Sequence, residues 1–115
     1  MNAGKHRLDN LTVIVDRNHM QCYGPTEEVQ RLEPFADKWE SFGFKVRECD
    51  GHDMRSIQDG LADMPFAKGR PGVLICHTVK GMGLTVAANN PDWHHKARLG
   101  EDEAAQLFKE LDGDT

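Results

Sequence analysis

The chain predicts an α/β fold, a partial doubly wound domain with a mostly parallel sheet of about three strands flanked by helices. Three observations predict it. Residues 11–15 and 72–78 are apolar, β-branched runs of the kind that form buried parallel strands. Between and after them lie segments with helical spacing of apolar residues. The order is strand, helix, strand, helix, strand, loop, helix, the alternation that parallel strands joined by crossovers require.

Taken along the chain, residues 11–15 give the first strand. Pro25-Thr26-Glu27-Glu28 reads as a helix start, with Thr26 as N-cap and two carboxylates at the positive end of the dipole. Pro34 breaks any longer helix, so a short turn at 27–32 and a helix over 34–42 are expected, with Pro34 in its first position. Phe35, Trp39 and Phe42 share a face there, and Gly43 stands where a glycine stop belongs. FKVRE, residues 44–48, alternates apolar and charged side chains and suits a strand near a sheet edge. Asp53 can cap a helix that presents Met54, Ile57, Leu61 and Met64 on one face and stops at Pro65. GVLICHT, residues 72–78, is the second strong strand. Residues 80–99 lack periodicity and read as a long loop carrying KGMG and WHHK. The last helix, residues 100–111, is expected to turn Ala104, Phe108 and Leu111 inward.

At 115 residues the chain is expected to be one small domain, 1–115. Its 38% apolar and 29% charged content leaves only a modest core. Nineteen acidic against fourteen basic residues give a net charge of −5, and without a basic stripe no nucleic-acid backbone partner is expected. MNAGKHRLDN has no apolar signal-peptide core, and no run approaches the ~20 apolar residues of a membrane helix, so no membrane role is expected. Cys22, Cys49 and Cys76 are odd in number and far apart, which fits free thiols in a reducing cytoplasm.

Chemistry-bearing residues cluster in two places. VDRNHMQCYG, residues 15–24, follows the first strand and carries Asp16, Asn18, His19 and Cys22. Carboxyl ends of parallel strands are where ligands bind in open α/β sheets. Oxygen donors there suit Mg²⁺, and the bland alternative is a decorated strand end. His94-His95 lacks the spacing of a zinc motif, which favours a loop histidine acting on a substrate or phosphate. Cys76-His77 lies on a strand, where neighbours face opposite ways, so Cys76 reads as a core residue. The two glycines of KGMG allow close backbone approach to a ligand. Asp50-Gly51-His52-Asp53 reads as a turn and helix cap.

The blocks KHRLDNLTVIVDRNHMQCYGPTEEV, LEPFADKWESFGFKVRECDGHD, PGVLICHTVKGMG and NNPDWHHKARLGEDE, in this order, resemble the transketolase family. The resemblance is to the thiamine-diphosphate-binding domain of the N-terminal module, a Rossmann-like fold. The wording is most similar to members whose N-terminal half is a separate subunit. It implies thiamine diphosphate and Mg²⁺ as cofactors, with the metal held by the Asn18 side chain and the Met20 carbonyl. It implies that His94 approaches the diphosphate and the substrate as a catalytic residue. Lys80, Gly81 and Gly83 would pass close to the cofactor. The implied reaction is two-carbon ketol transfer between sugar phosphates. Asp16, His19 and Cys22 then become loop context.

Departures shape the expectation. The family's Gly-Asp-Gly segment lies about thirty residues before the asparagine, which here falls before Met1. The domain holding the aminopyrimidine ring, with its activating glutamate, is outside this sequence. Lys5-His6-Arg7 matches the inside of a family helix. His19 replaces a usual glycine and would cost ~1 kcal/mol if φ is positive there. Tyr23 replaces a frequent acidic residue. A truncated domain follows, inactive alone, completed by a complementary transketolase subunit or a homo-oligomer. The alternative is a non-catalytic small α/β protein that self-associates.

Overall fold

A computed structural model describes residues 1–113. In chain order its elements are α1 (Asn2–Lys5), β1 (Thr12–Arg17), β2 (Met20–Gln21), β3 (Gly24–Pro25), α2 (Thr26–Val29), α3 (Phe35–Ser41), β4 (Lys45–Asp50), α4 (Met54–Leu61), β5 (Gly72–His77) and α5 (Glu101–Asp112), with a 3₁₀ turn at Pro91–Trp93. They form two compact units, Met1–Arg17 with Leu32–Thr78, and Asn18–Arg31 with the residues from Val79 onward.

The first unit holds the sheet. β5 is central, with β1 and β4 parallel on either side, Thr12 and Lys45 both standing opposite Gly72. The alternating FKVRE stretch thus sits on an edge strand, as expected. β5 is buried from Gly72 to Cys76, and Val73, Leu74 and Ile75 have essentially no exposure. Each such side chain contributes about 1.5–3 kcal/mol by leaving water. Successive residues point to opposite faces, so two layers form. Val73 and Ile75 pack with Phe44, Val13, Val15 and Val46 beneath Phe35, Ala36 and Trp39 of α3 and Ala3 of α1. Trp39 meets Phe35 and Phe44 edge-on, with centroids 6.1 and 5.0 Å apart. Leu74 faces the other way, against Gly60 of α4, where an added Cβ would sit 2.9 Å from it.

Helix ends follow hydrogen-bond supply. Asp53 caps α4 as expected, accepting from the Arg55 amide. Thr26 is the first helical residue rather than the cap, because Pro25 is extended and the Thr26 amide is taken by the His19 carbonyl at 2.8 Å. Pro34 likewise stands one place earlier than expected, as the N-cap of α3, and the Glu33 carboxylate accepts the Phe35 amide. The other Glu33 oxygen binds Arg17, which is buried at the end of β1. Gly43 adopts φ +92 and ends α3, as expected of a glycine stop. Met54 is exposed, against the expected inward face, because α4 brings Gly60 against Leu74, and Met64 is exposed because the helix ends at Leu61, before the expected stop at Pro65.

In the second unit, β2 and β3 pair antiparallel as a two-rung hairpin that the sequence pattern did not signal. α5 corrects the sequence reading. Leu107 is its buried residue, whereas Phe108 and Leu111 are about two-thirds exposed. The inner side is formed by Glu103, Ala104, Leu107 and Glu110, so Ala104 faces inward as expected while Phe108 and Leu111 do not. Glu110 accepts the Thr85 amide at 2.7 Å, and Glu103 binds the Lys96 ammonium.

Candidate functional site

All six residues that the resemblance singles out, Asn18, Met20, Lys80, Gly81, Gly83 and His94, fall in the second unit. The loop after β1 is built around His19, whose φ of +61 is left-handed, as a usual glycine position would be. That turn lets the Asn18 Oδ1 accept the Met20 amide at 3.0 Å. An amide oxygen has two lone pairs, so one remains for a ligand. The Met20 carbonyl is governed by the hairpin ladder. The Thr26 amide donates to the His19 carbonyl, which makes residues 19 and 26 a hydrogen-bonded rung. Met20 opposite Pro25 is the next rung, and in an antiparallel ladder it is the non-bonded kind. Its carbonyl therefore turns away from β3.

The 80–99 loop is closed on itself. The Asn89 amide donates to the Lys80 carbonyl at 2.9 Å, and the Asn90 side chain bonds the Val86 carbonyl and the Asp92 amide. Gly81, at φ +72, has the Ala87 carbonyl 2.5 Å from where a Cβ would stand, so only glycine fits. Gly83, at φ +93, has nothing within 4 Å of that position, leaving room for another molecule to approach the backbone.

His94 follows the 3₁₀ turn. Its Nε2 lies 3.4 Å from Cys22 Sγ, and its ring meets that of His95 edge-on, centroids 4.6 Å apart. Its Nδ1 is buried with no hydrogen-bond partner among the described residues. Desolvation, then the charges of Lys80 and His95, hold its pKa below the usual imidazole range, favouring the neutral ring. Lys96 is committed elsewhere, paired with Glu103 and 4.3 Å from the Trp93 ring centroid. Its hydrogen bond holds the Glu103 carboxyl below its ordinary value.

Sequence reasoning set Cys22 aside, yet the structure places it against His94, 72 residues away. No spacing pattern could reveal a pairing of that separation. Cys76 is buried and His77 exposed, as the strand reading required. None of the six residues lines the two described cavities. One, of about 360 Å³, is bounded by Asp9, Asn10, Thr12, Met64 and Pro65; the other, of about 210 Å³, lies along Phe35, Trp39 and Phe42. Among the described residues no helix is long and apolar enough to cross a membrane.

The donor set fits a hard cation. Asn18 Oδ1 and the Met20 carbonyl are both oxygens, the type Mg²⁺ takes alongside phosphate and water. The unpartnered His94 Nδ1 and the open approach at Gly83 fit an anionic group such as a diphosphate.

Comparisons with known proteins give the family. Residues 1–114 match the family model described as transketolase, thiamine diphosphate binding domain. An apulose-4-phosphate transketolase subunit of Actinobacillus succinogenes is 40% identical over 111 residues, which are 96% of this chain and 40% of that protein. The 6-deoxy-6-sulfo-D-fructose transketolase subunit SqwG of Clostridium sp. is 41% identical over 112 residues, covering 97% of this chain and 40% of that one. The chain thus spans about 40% of the length of these curated relatives. Among solved structures, transketolase from Campylobacter jejuni superposes with a TM-score of 0.81 at 28% identity, over 97% of this chain and 17% of that chain. With a family match running from residue 1 to 114 and a fold shared with a solved transketolase, this chain belongs to the thiamine diphosphate binding domain family of transketolases.

Proposed function

We propose that these residues supply part of a Mg²⁺–thiamine diphosphate site for two-carbon ketol transfer between sugar phosphates. The orientation of the Met20 carbonyl carries the reading. The hairpin rung turns it out of the ladder while the Asn18 side-chain oxygen is fixed two residues earlier, giving two hard donors on one turn. When bound, thiamine diphosphate supplies the carbanion stabilisation that the transfer needs. The chain's own residues bind and orient. Asn18 and Met20 hold the metal, and the backbone at Lys80, Gly81 and Gly83 lies along the cofactor. Neutral His94 donates a hydrogen bond to the diphosphate or a substrate oxygen and can move a proton there.

A complementary polypeptide is the partner we infer. The relatives from Actinobacillus succinogenes and Clostridium sp. are themselves named as subunits of transketolases. A homo-oligomer of the completed enzyme fits the same logic. The described free thiols at Cys22, Cys49 and Cys76 support a cytoplasmic setting.

Purified chain given donor ketose, acceptor aldose, thiamine diphosphate and Mg²⁺ is expected to show no turnover, and turnover would overturn the partial-site reading. Reconstituted with a complementary subunit, the Asn18→Ala variant should need roughly tenfold or more Mg²⁺ for half-maximal cofactor binding, as loss of a metal-site group implies. An unchanged Mg²⁺ requirement would remove Asn18 from the site.

A further inference from the structure

Cys22 lies in the hairpin turn between β2 and β3, and His94 and His95 follow the 3₁₀ turn at Pro91–Trp93. Their potential ligand atoms, one thiol sulfur and two imidazole nitrogens, all lie within 4.8 Å of one another. We propose that Cys22, His94 and His95 form a binding site for a borderline-soft divalent cation of the Zn²⁺ class, separate in donor chemistry from the oxygen pair at Asn18 and Met20.

Three arguments carry it. Thiolate and imidazole donors select Zn²⁺ or Co²⁺ and reject Mg²⁺, which demands oxygen. A tetrahedral zinc with sulfur at 2.3 Å and nitrogen at 2.0–2.1 Å has ligand–ligand edges of roughly 3.4–3.6 Å. The Cys22 Sγ to His94 Nε2 separation of 3.4 Å already equals one such edge. The remaining edges need to contract by about 1.4 Å at most, within reach of side-chain rotation by the exposed Cys22 and His95. The second nitrogen of His94 is buried without a partner among the described residues, an unmet demand that an ordered water beside a bound ion would satisfy.

Binding converts the Cys22 thiol to a thiolate, its proton leaving to the buffer. Three protein ligands leave the fourth tetrahedral position to water. The site stands independently of the ketol-transfer reading. If that reading holds as well, metal here withdraws His94 from the cofactor, so Zn²⁺ would inhibit the assembled enzyme.

The test is Co²⁺ titration of the purified, reduced chain, followed by absorption. One equivalent should bind, with a thiolate-to-cobalt charge-transfer band in the near ultraviolet, and Zn²⁺ should displace it. Cys22→Ser should abolish that band. His95→Gln should weaken Co²⁺ binding at least tenfold. Both positions are exposed, so the variants are expected to keep the fold, checked by far-ultraviolet circular dichroism. Absence of the band overturns the proposal. So does a band that survives in Cys22→Ser, because it would then arise from Cys49 and Cys76.

Discussion

Cys49 and Cys76 stand directly opposite each other on β4 and β5, with their sulfurs 3.5 Å apart. Burial first, then the hydrogen bond and charge of Cys76, push the Cys49 thiol from 9.0 up to about 11. Its neutral form is therefore favoured in the folded chain. An unfolded Cys49 loses its proton near pH 9.0 while the folded one keeps it to about pH 11, so this contribution is present below pH 9.0 and lost as pH rises through 11. Urea midpoints measured across that window should fall less steeply in Cys49→Ala than in the unaltered chain. Equal slopes would show that the thiol does not carry the linkage. The same scale explains His19. Its φ of +61 is the left-handed turn that the resemblance to a glycine position implied, and histidine tolerates it at ~1 kcal/mol.

At the scale of elements, α5 shows how helix spacing and helix orientation differ. Phe108 and Leu111 lie at helical spacing from the half-buried Ala104, as do Leu107 and Glu110 within a residue, and periodicity alone cannot choose between the two sides. Tertiary packing chooses: Leu107 is buried, and Glu110 and Glu103 on the same side accept from the Thr85 amide and the Lys96 ammonium. Leu107 is then carried inward and Phe108 outward. Leu107→Ala should cost about 2–5 kcal/mol, and Phe108→Ala should stay within about 0.5 kcal/mol, measured by chemical denaturation. Comparable losses in both variants would overturn the assigned face. The hairpin of β2 and β3 was hidden for a related reason. Two-residue strands carry no alternation to read, and Pro25 fits only because it stands on the non-bonded rung, which asks for no amide.

For the whole molecule, each of the two units leaves large apolar side chains exposed, Ile14 and Phe42 in the first, Phe108 and Leu111 in the second. They leave apolar surface for association. Under the proposed function, mixing the chain with a complementary transketolase subunit should shift its sedimentation to a hetero-complex. A self-associated species that the added partner does not alter would favour the rival, a non-catalytic chain that pairs only with itself.

The sequence by itself determined the α/β class, the buried strand of GVLICHT and the edge strand of FKVRE. These rest on local hydrophobic period and on burial that every parallel sheet demands of its middle strand. Through the resemblance carried by whole contiguous blocks it also singled out Asn18, Met20 and His94 as candidates. Only the tertiary structure decided that Cys22 meets His94 and that the Met20 carbonyl turns out of its ladder. Contacts between residues 72 apart depend on loop closure, and carbonyl direction depends on which rung is hydrogen-bonded. Neither quantity is written in the spacing of side chains.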